Sequence, residues 1–227
     1  MELNNFNNKE LMSIAASRYT KDLIDKKIRK DNEFTLALSG GGSPVRYYEL
    51  LAEENIDWAR VKIFFVDERN VPANHVHSNF RMINQALISK INIPESNIFP
   101  LNTENQSVTD CSLEYEKNIK KAFGNNLPRF NLIVLGAGPD GHTASIFPDA
   151  DPYIEENRIF IPATAPSQFD VRERLTMTLA LINMAHNRIF IISGTGKKSI
   201  VQGILDQNPL IPAGLVNPDT TIFTDSY

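Results

Sequence analysis

The sequence predicts an α/β fold, a doubly wound, mainly parallel sheet with helices on both faces and a Rossmann-like layering. Three observations carry that expectation. Short apolar runs recur along a chain of 227 residues. Most are apolar on both strand faces, as strands covered on each side must be. Stretches with helical spacing lie between them, which is the alternation that builds a parallel sheet. The length suits one domain over residues 1–227 with a single buried core.

Taken in chain order, Leu11, Ala15, Tyr19 and Leu23 step by four through a Lys- and Asp-rich segment and predict an amphipathic first helix. "FTLAL" (34–38) predicts a strand. "SGGGSP" (39–44) then leads into a helical "PVRYYELLAEE", with Pro44 suited to a first helical turn. "VKIFFV" (61–66) is the next strand, followed by a long polar loop, "DERNVPANHVHSNF" (67–80). Ser78 or Asn79 caps the helix "NFRMINQALI". "SLEYEKNIKKAF" and "KKSIVQGIL" read as helices. "NLIVL" (131–135), "RIFIP" (158–162), "RIFIIS" (188–193) and "TIFTD" (221–225) read as strands.

Composition sets limits on function. With 23 Lys+Arg against 27 Asp+Glu the formal charge is −4, so no global basic field recruits nucleic acid or an acidic membrane. An anionic ligand must be gripped locally. The lone cysteine, Cys111, sits in a helical context and reads as a packed thiol rather than a nucleophile. The polar start "MELNNFNNKELMS", and apolar runs far shorter than the roughly 18 residues of a membrane span, lead us to expect a cytoplasmic protein.

Parallel sheets bind ligands at the carboxyl ends of their strands, so the residues after each strand carry the functional reading. Successive glycines at 40–42 let the backbone approach a ligand and aim N–H groups at it. The following helix start favours a phosphate, and Ser43 adds a hydroxyl. After the second strand, Asp67 and Glu68 are adjacent carboxylates, of which an extended chain turns at most one toward a site. Arg69 is an anion or oxyanion partner. His75 and His77 lack nearby cysteines, and a solvated loop is the better reading than a metal pair. Arg174 and Lys197 fall at places where a cation can meet an anion, and Lys197 stands at a helix start, where a basic side chain opposes the dipole unless an anion is bound.

"NLIVLGAGPDGHTASIF" (131–147) holds a G-x-G-x-x-G at Gly136, Gly138 and Gly141. As a dinucleotide turn it has two faults. The next strand-like run ends without the ribose-binding carboxylate, and Asp140 sets a negative charge where a pyrophosphate would lie. No dinucleotide cofactor is therefore expected. Asp140 and His142 instead suit acid–base chemistry, a carboxylate two residues before a histidine fixing the imidazole as a general base.

These segments together resemble the 6-phosphogluconolactonase family, whose fold is shared with glucosamine-6-phosphate deaminases. The resemblance rests on "LSGGGSP", "VDERNVPANHVHSNFRM", "LGAGPDGHTASIFP", "ERLTMT" and "ISGTGKK" and spans roughly residues 34–223. Deaminases carry Ile-Ala-Phe-Asn-Glu-Pro where this chain has "TASIFP", so their glutamate has no counterpart here. Where the lactonases usually read Ser-Gly-Gly-Ser-Thr-Pro, Gly42 replaces a serine and Ser43 a threonine. The resemblance implies hydrolysis of a small sugar-phosphate lactone, 6-phosphoglucono-1,5-lactone, with neither cofactor nor metal. In that reading His142 activates water and Asp140 orients it. Arg69 meets phosphate or oxyanion, and Asp67 holds Arg69 or a sugar hydroxyl. Gly41, Gly42, Ser43, Arg174 and Lys197 clamp the phosphate. A deaminase or isomerase and a non-enzymatic sugar-phosphate sensor are the rivals. The segment before residue 34 supplies one helix and no helix-turn-helix, which counts against the sensor. The resemblance also favours a monomer.

Overall fold

The apolar runs do form the middle of a parallel sheet in the computed structural model, which describes residues 1–104, 107–124, 126–148 and 158–227. In chain order the elements are β1 (Glu2–Asn5), α1 (Lys9–Asp31), β2 (Phe34–Leu38), α2 (Val45–Glu53), β3 (Val61–Phe65), β4 (Asp67–Arg69), α3 (Asn79–Ala86), α4 (Val108–Phe123), β5 (Leu132–Leu135), β6 (Phe160–Thr164), β7 (Glu173–Met177), α5 (Leu179–Met184), β8 (Arg188–Ile192), α6 (Lys198–Leu205) and β9 (Thr221–Thr224). Six strands pair in the order β1-β9-β8-β5-β2-β3, every pair parallel. β2, β5, β8 and β9 are buried along their whole length, the pattern expected of strands covered on both faces. Helices flank the sheet: α1 packs against α2, β2 and β9.

The expected "RIFIP" strand is real but belongs elsewhere. β6 pairs antiparallel with β7, and β7 with β4, in a separate three-stranded sheet of order β4-β7-β6. Pro162 lies in β6 at the edge of that sheet, where a missing N–H is tolerated. The polar loop expected from residue 67 begins with β4 instead. Val66 joins the two sheets: its N–H donates to the Leu38 carbonyl at 2.9 Å, and its own carbonyl accepts from the Met177 N–H at 2.8 Å.

The first helix is present, but its inner face is one residue round from the expected one. Leu11 is 47% exposed, whereas Met12, Ser13, Ala16, Ser17, Thr20 and Ile24 are buried. Small side chains let α1 lie close to α2, and the hydroxyls of Thr20 and Ser17 find partners, whereas Ser13 Oγ is buried without one. Thr20 Oγ1 is 2.9 Å from the Tyr47 hydroxyl, and Ser17 Oγ donates to the Ile14 carbonyl at 3.0 Å. Ala15, Tyr19 and Leu23 pack at the margin of the core. Ser78 is the cap of α3, its side chain accepting from the Arg81 N–H. α4 starts at Val108, a turn earlier than its apolar pattern suggests, behind the capping Ser107. Cys111 is buried on α4, and burial raises its thiol pKa.

Candidate active site

Strand order reverses between β2 and β5. From β2 the chain moves outward to β3, and from β5 it moves the other way through β8 and β9, so the loops leaving β2 and β5 diverge and open a crevice at their carboxyl ends. A cleft of about 210 Å³ lies there. That is smaller than the roughly 300–1,000 Å³ typical of drug-sized ligand pockets and suits a small polar molecule. Its walls include Gly41, Gly42, Ser43, Asp67, Arg69, His142 and Lys197. Four separate strand-end segments thus converge.

His142 is held first by its own loop. No helix follows Gly141 among residues 136–148; the segment folds back through a bridge between Thr143 and Ile146. The dinucleotide pattern therefore lacks the helix start it needs. Gly138 N–H donates to the His142 carbonyl at 2.9 Å, and Gly141 adopts φ +84°, a left-handed conformation that glycine reaches without strain. The result sets Asp140 Oδ1 2.5 Å from His142 Nδ1, while the His142 N–H donates to the same oxygen at 3.2 Å. An ionised carboxylate only accepts, so it fixes the proton on Nδ1 and leaves the Nε2 lone pair free. The imidazole is also flanked by Phe147 and Phe169, at ring distances of 4.8 and 5.8 Å.

The alternation expected of Asp67 and Glu68 is realised on β4. Asp67 lines the cleft, and Glu68 turns away to serve the backbone. Glu68 accepts from the N–H groups of Arg69 and Asn79 at 2.7 Å and Phe80 at 2.8 Å, and from the Ser78 hydroxyl at 3.1 Å. Burial raises its pKa, against those three N–H donors. Asp67 has two donors of its own. Asn79 Nδ2 gives hydrogen bonds to its carbonyl and Oδ1 at 2.9 and 3.3 Å, and Ser145 Oγ to Oδ2 at 2.7 Å. The Asn79 side chain also packs so tightly on Gly40 that a methyl group there would collide with it. Asn79 thereby joins the glycine loop to Asp67.

The cations sit in two groups. Lys197 precedes α6 and donates from Nζ to the Ala137 carbonyl at 2.7 Å; burial lowers its pKa, with Asp140 opposing. Arg69 and Arg174 face each other across the β4–β7 ladder. Arg69 Nη1 donates to the His77 carbonyl. Arg174, though 6% exposed, does not line the cleft itself. Burial, then the Arg69 charge, pulls its pKa down to about 10, with Asp67 and Glu68 opposing. Nε of each arginine is buried without a hydrogen-bond partner. Two like charges directly opposed, each with an idle donor, are what an anion relieves.

The rings of His75 and His77 lie 5.4 Å apart, tilted by 41°, and His77 Nε2 lies 3.8 Å from Asp170. Among the described residues no group of three or more His, Cys, Asp or Glu is arranged to hold a metal ion. Likewise, no helix among them is long and apolar enough to cross a membrane.

Sequence reasoning took Asn79 only as a candidate cap and missed Ser145 and Phe169. The Ser-Asn pair after a polar loop is a signal that could have suggested Asn79. Nothing local marks the other two, whose partners are far away in the chain.

Comparison with known proteins agrees with this architecture. Residues 7–224 match the family model described as glucosamine-6-phosphate isomerases/6-phosphogluconolactonase. The human protein named 6-phosphogluconolactonase is 36% identical over 200 residues, covering 82% of this chain and 75% of its own length. The Arabidopsis thaliana protein named 6-phosphogluconolactonase 3, chloroplastic, is 33% identical, covering 92% of this chain and 68% of its own. The crystal structure of 6-phosphogluconolactonase from Thermotoga maritima superposes with a TM-score of 0.84 at 29% identity, over 98% of this chain and 96% of that one. With a matching family model across nearly its whole length and relatives of this similarity, the chain belongs to the glucosamine-6-phosphate isomerase/6-phosphogluconolactonase family.

Proposed function

We propose that this chain hydrolyses 6-phospho-D-glucono-1,5-lactone to 6-phospho-D-gluconate, the hydrolytic step of the oxidative pentose phosphate pathway. The observation that carries the reading is the Asp140–His142 pair, set in a cleft that also holds a glycine-rich loop and cations. A lactone is an activated ester, so an oriented water, a base and charge stabilisation suffice. His142 Nε2 takes a proton from water as the water oxygen bonds to the lactone carbonyl carbon. Arg69 stabilises the resulting oxyanion. The tetrahedral intermediate then expels the ring oxygen, which takes the proton back from the imidazolium, and the ring opens to a carboxylic acid. Gly41, Gly42, Ser43 and Lys197 hold the phosphate from the cleft walls, Arg174 reaches it from beside Arg69, outside the lining, and Asp67, already satisfied by Asn79 and Ser145, accepts from a sugar hydroxyl. None of these steps calls on a metal or cofactor. We further propose a cytoplasmic monomer acting on a small molecule, without nucleic acid or membrane partners, in keeping with the formal charge of −4 and the buried lone thiol.

The test compares the phosphorylated lactone with unphosphorylated gluconolactone, following acid release after subtracting spontaneous opening. Charge-assisted contacts to the phosphate predict a preference in kcat/KM of about 10² to 10⁴-fold. Lys197→Ala should erase part of it. Equal kcat/KM for the two lactones defeats the phosphate clamp, and ammonia from glucosamine 6-phosphate without lactone hydrolysis transfers the chain to the deaminase branch.

A further inference from the structure

Phe169 lies on the turn joining β6 to β7, outside every segment that the functional reading drew on. The turn is pinned at its base: the Ala165 N–H donates to the Arg172 carbonyl at 2.8 Å, and Arg172 Nε to the Ala165 carbonyl at 3.0 Å. A further bond, Phe169 N–H to the Pro166 carbonyl at 3.1 Å, shapes the tip. One ring then meets two functional groups. Its centroid is 5.8 Å from the His142 ring, with the planes 80° apart, and 5.7 Å from the Arg174 guanidinium carbon. Phe147 completes the wall, 5.4 Å from Phe169 and 4.8 Å from His142. The first contact sets the imidazole and phenyl rings nearly perpendicular, in an edge-to-face arrangement. The second is a cation–π contact to an arginine whose Nε lacks a hydrogen-bond partner.

We propose that Phe169 is a positioning residue that ties the Arg174 guanidinium to the His142 imidazole, so that an anion bound at Arg174 improves the placement of the base. The inference rests on the lactonase reading, in which Arg174 holds the phosphate and His142 activates water. It makes the phosphate act on turnover as well as on binding. The glycine loop and Lys197 lie outside this contact and continue to favour the phosphorylated substrate in KM.

The experiment measures kcat and KM for the phosphorylated and unphosphorylated lactones in wild type, Phe169→Leu and Phe169→Tyr, with melting temperatures to confirm folding. Leucine keeps an apolar side chain and removes the π face; tyrosine keeps the face. In wild type kcat should be higher with the phosphorylated lactone. Phe169→Leu should reduce that kcat ratio by about two- to fivefold, the size of a modest cation–π contact, while the KM preference stays. Phe169→Tyr should restore the ratio. Equal losses on both substrates, an unchanged ratio, or a tyrosine variant that behaves like leucine would each overturn the proposal. Failure of wild type to open either lactone would instead remove the reading beneath it.

Discussion

Gly138→Ala should disable the proposed base while leaving both His142 and Asp140 in the sequence. A Cβ added at Gly138 would lie 2.1 Å from His142 Nδ1 and 2.6 Å from Asp140 Oδ1, whereas ordinary contact begins at 3.4 Å. The pair must therefore move by about 1 Å, and a displacement of that size in a reacting group costs about 10²-fold in rate, or roughly 2.7 kcal/mol of barrier. Gly138 does not have a positive φ, so backbone strain adds nothing. Overpacking of this kind costs about 1–3 kcal/mol of stability, which lowers Tm by roughly 2–12 °C and leaves the protein folded at 25 °C. Gly136→Ala is the control, because its Cβ would meet nothing within 4 Å. Initial rates of acid release on the phosphorylated lactone, with circular dichroism on the same samples, decide the matter. A Gly138→Ala enzyme within threefold of wild-type kcat, or a Gly136→Ala enzyme equally damaged, would refute the reasoning.

Three further outcomes are expected. His142→Ala should lower kcat by about 10² to 10⁴-fold with little change in KM, and Asp140→Asn should act in the same direction but less; steady-state kinetics check both. Glu68→Gln should lower Tm without a comparable loss of kcat. Its amide turns a donor toward N–H groups that Glu68 now accepts from, costing about 1–3 kcal/mol, or some 2–12 °C in a thermal melt. Burial and then the Arg69 charge pull the Arg174 pKa down to about 10 in the folded chain, below the ordinary arginine range, so the unfolded chain binds its proton more tightly. The charge therefore destabilises the phosphate-free protein fully below about pH 10, an effect that fades as pH rises above that toward the ordinary arginine range. Arg174→Met should raise the melting temperature of phosphate-free protein at pH 7 and reduce the further rise that inorganic phosphate gives wild type.

The inner strands were legible because burial on both faces leaves a nearly continuous apolar run, as at Leu36–Leu38 in β2 and Ile189–Ile192 in β8. Strands whose residues are polar, or shared between two sheets, left no such trace. Glu2–Asn5 is a polar edge strand, and Asp67–Arg69 consists of three charged residues whose pairing depends on Glu173–Met177 more than a hundred positions away. α1 shows the converse failure: its buried face is made of serines, threonine and alanine as much as of large apolar residues, so hydrophobic spacing pointed one residue aside. At the candidate site, glycines and charges after strands were visible because a strand end is a local feature. Arg174 was visible as a charge but not as the partner of Arg69, and Ser145 and Phe169 acquire meaning only from contacts made in space.

The pairing of β1 with β9 has a consequence for how the protein is made. Residues 2–5 take their ladder partners from residues 221–224, and the Phe6 N–H bonds to the Thr224 carbonyl at 2.8 Å. During translation the first strand emerges early and stays without its neighbour until more than two hundred further residues have been added, at about 5–20 residues per second. For roughly ten seconds or more its hydrogen-bonding edge is open. That β1 is short and largely polar, "ELNN", keeps the waiting segment soluble and a poor template for foreign strands. Closure of the sheet at this edge is thus a late event, and ribosome-bound chains halted before residue 221 should leave residues 2–5 open to protease while β2 and β3 are already protected.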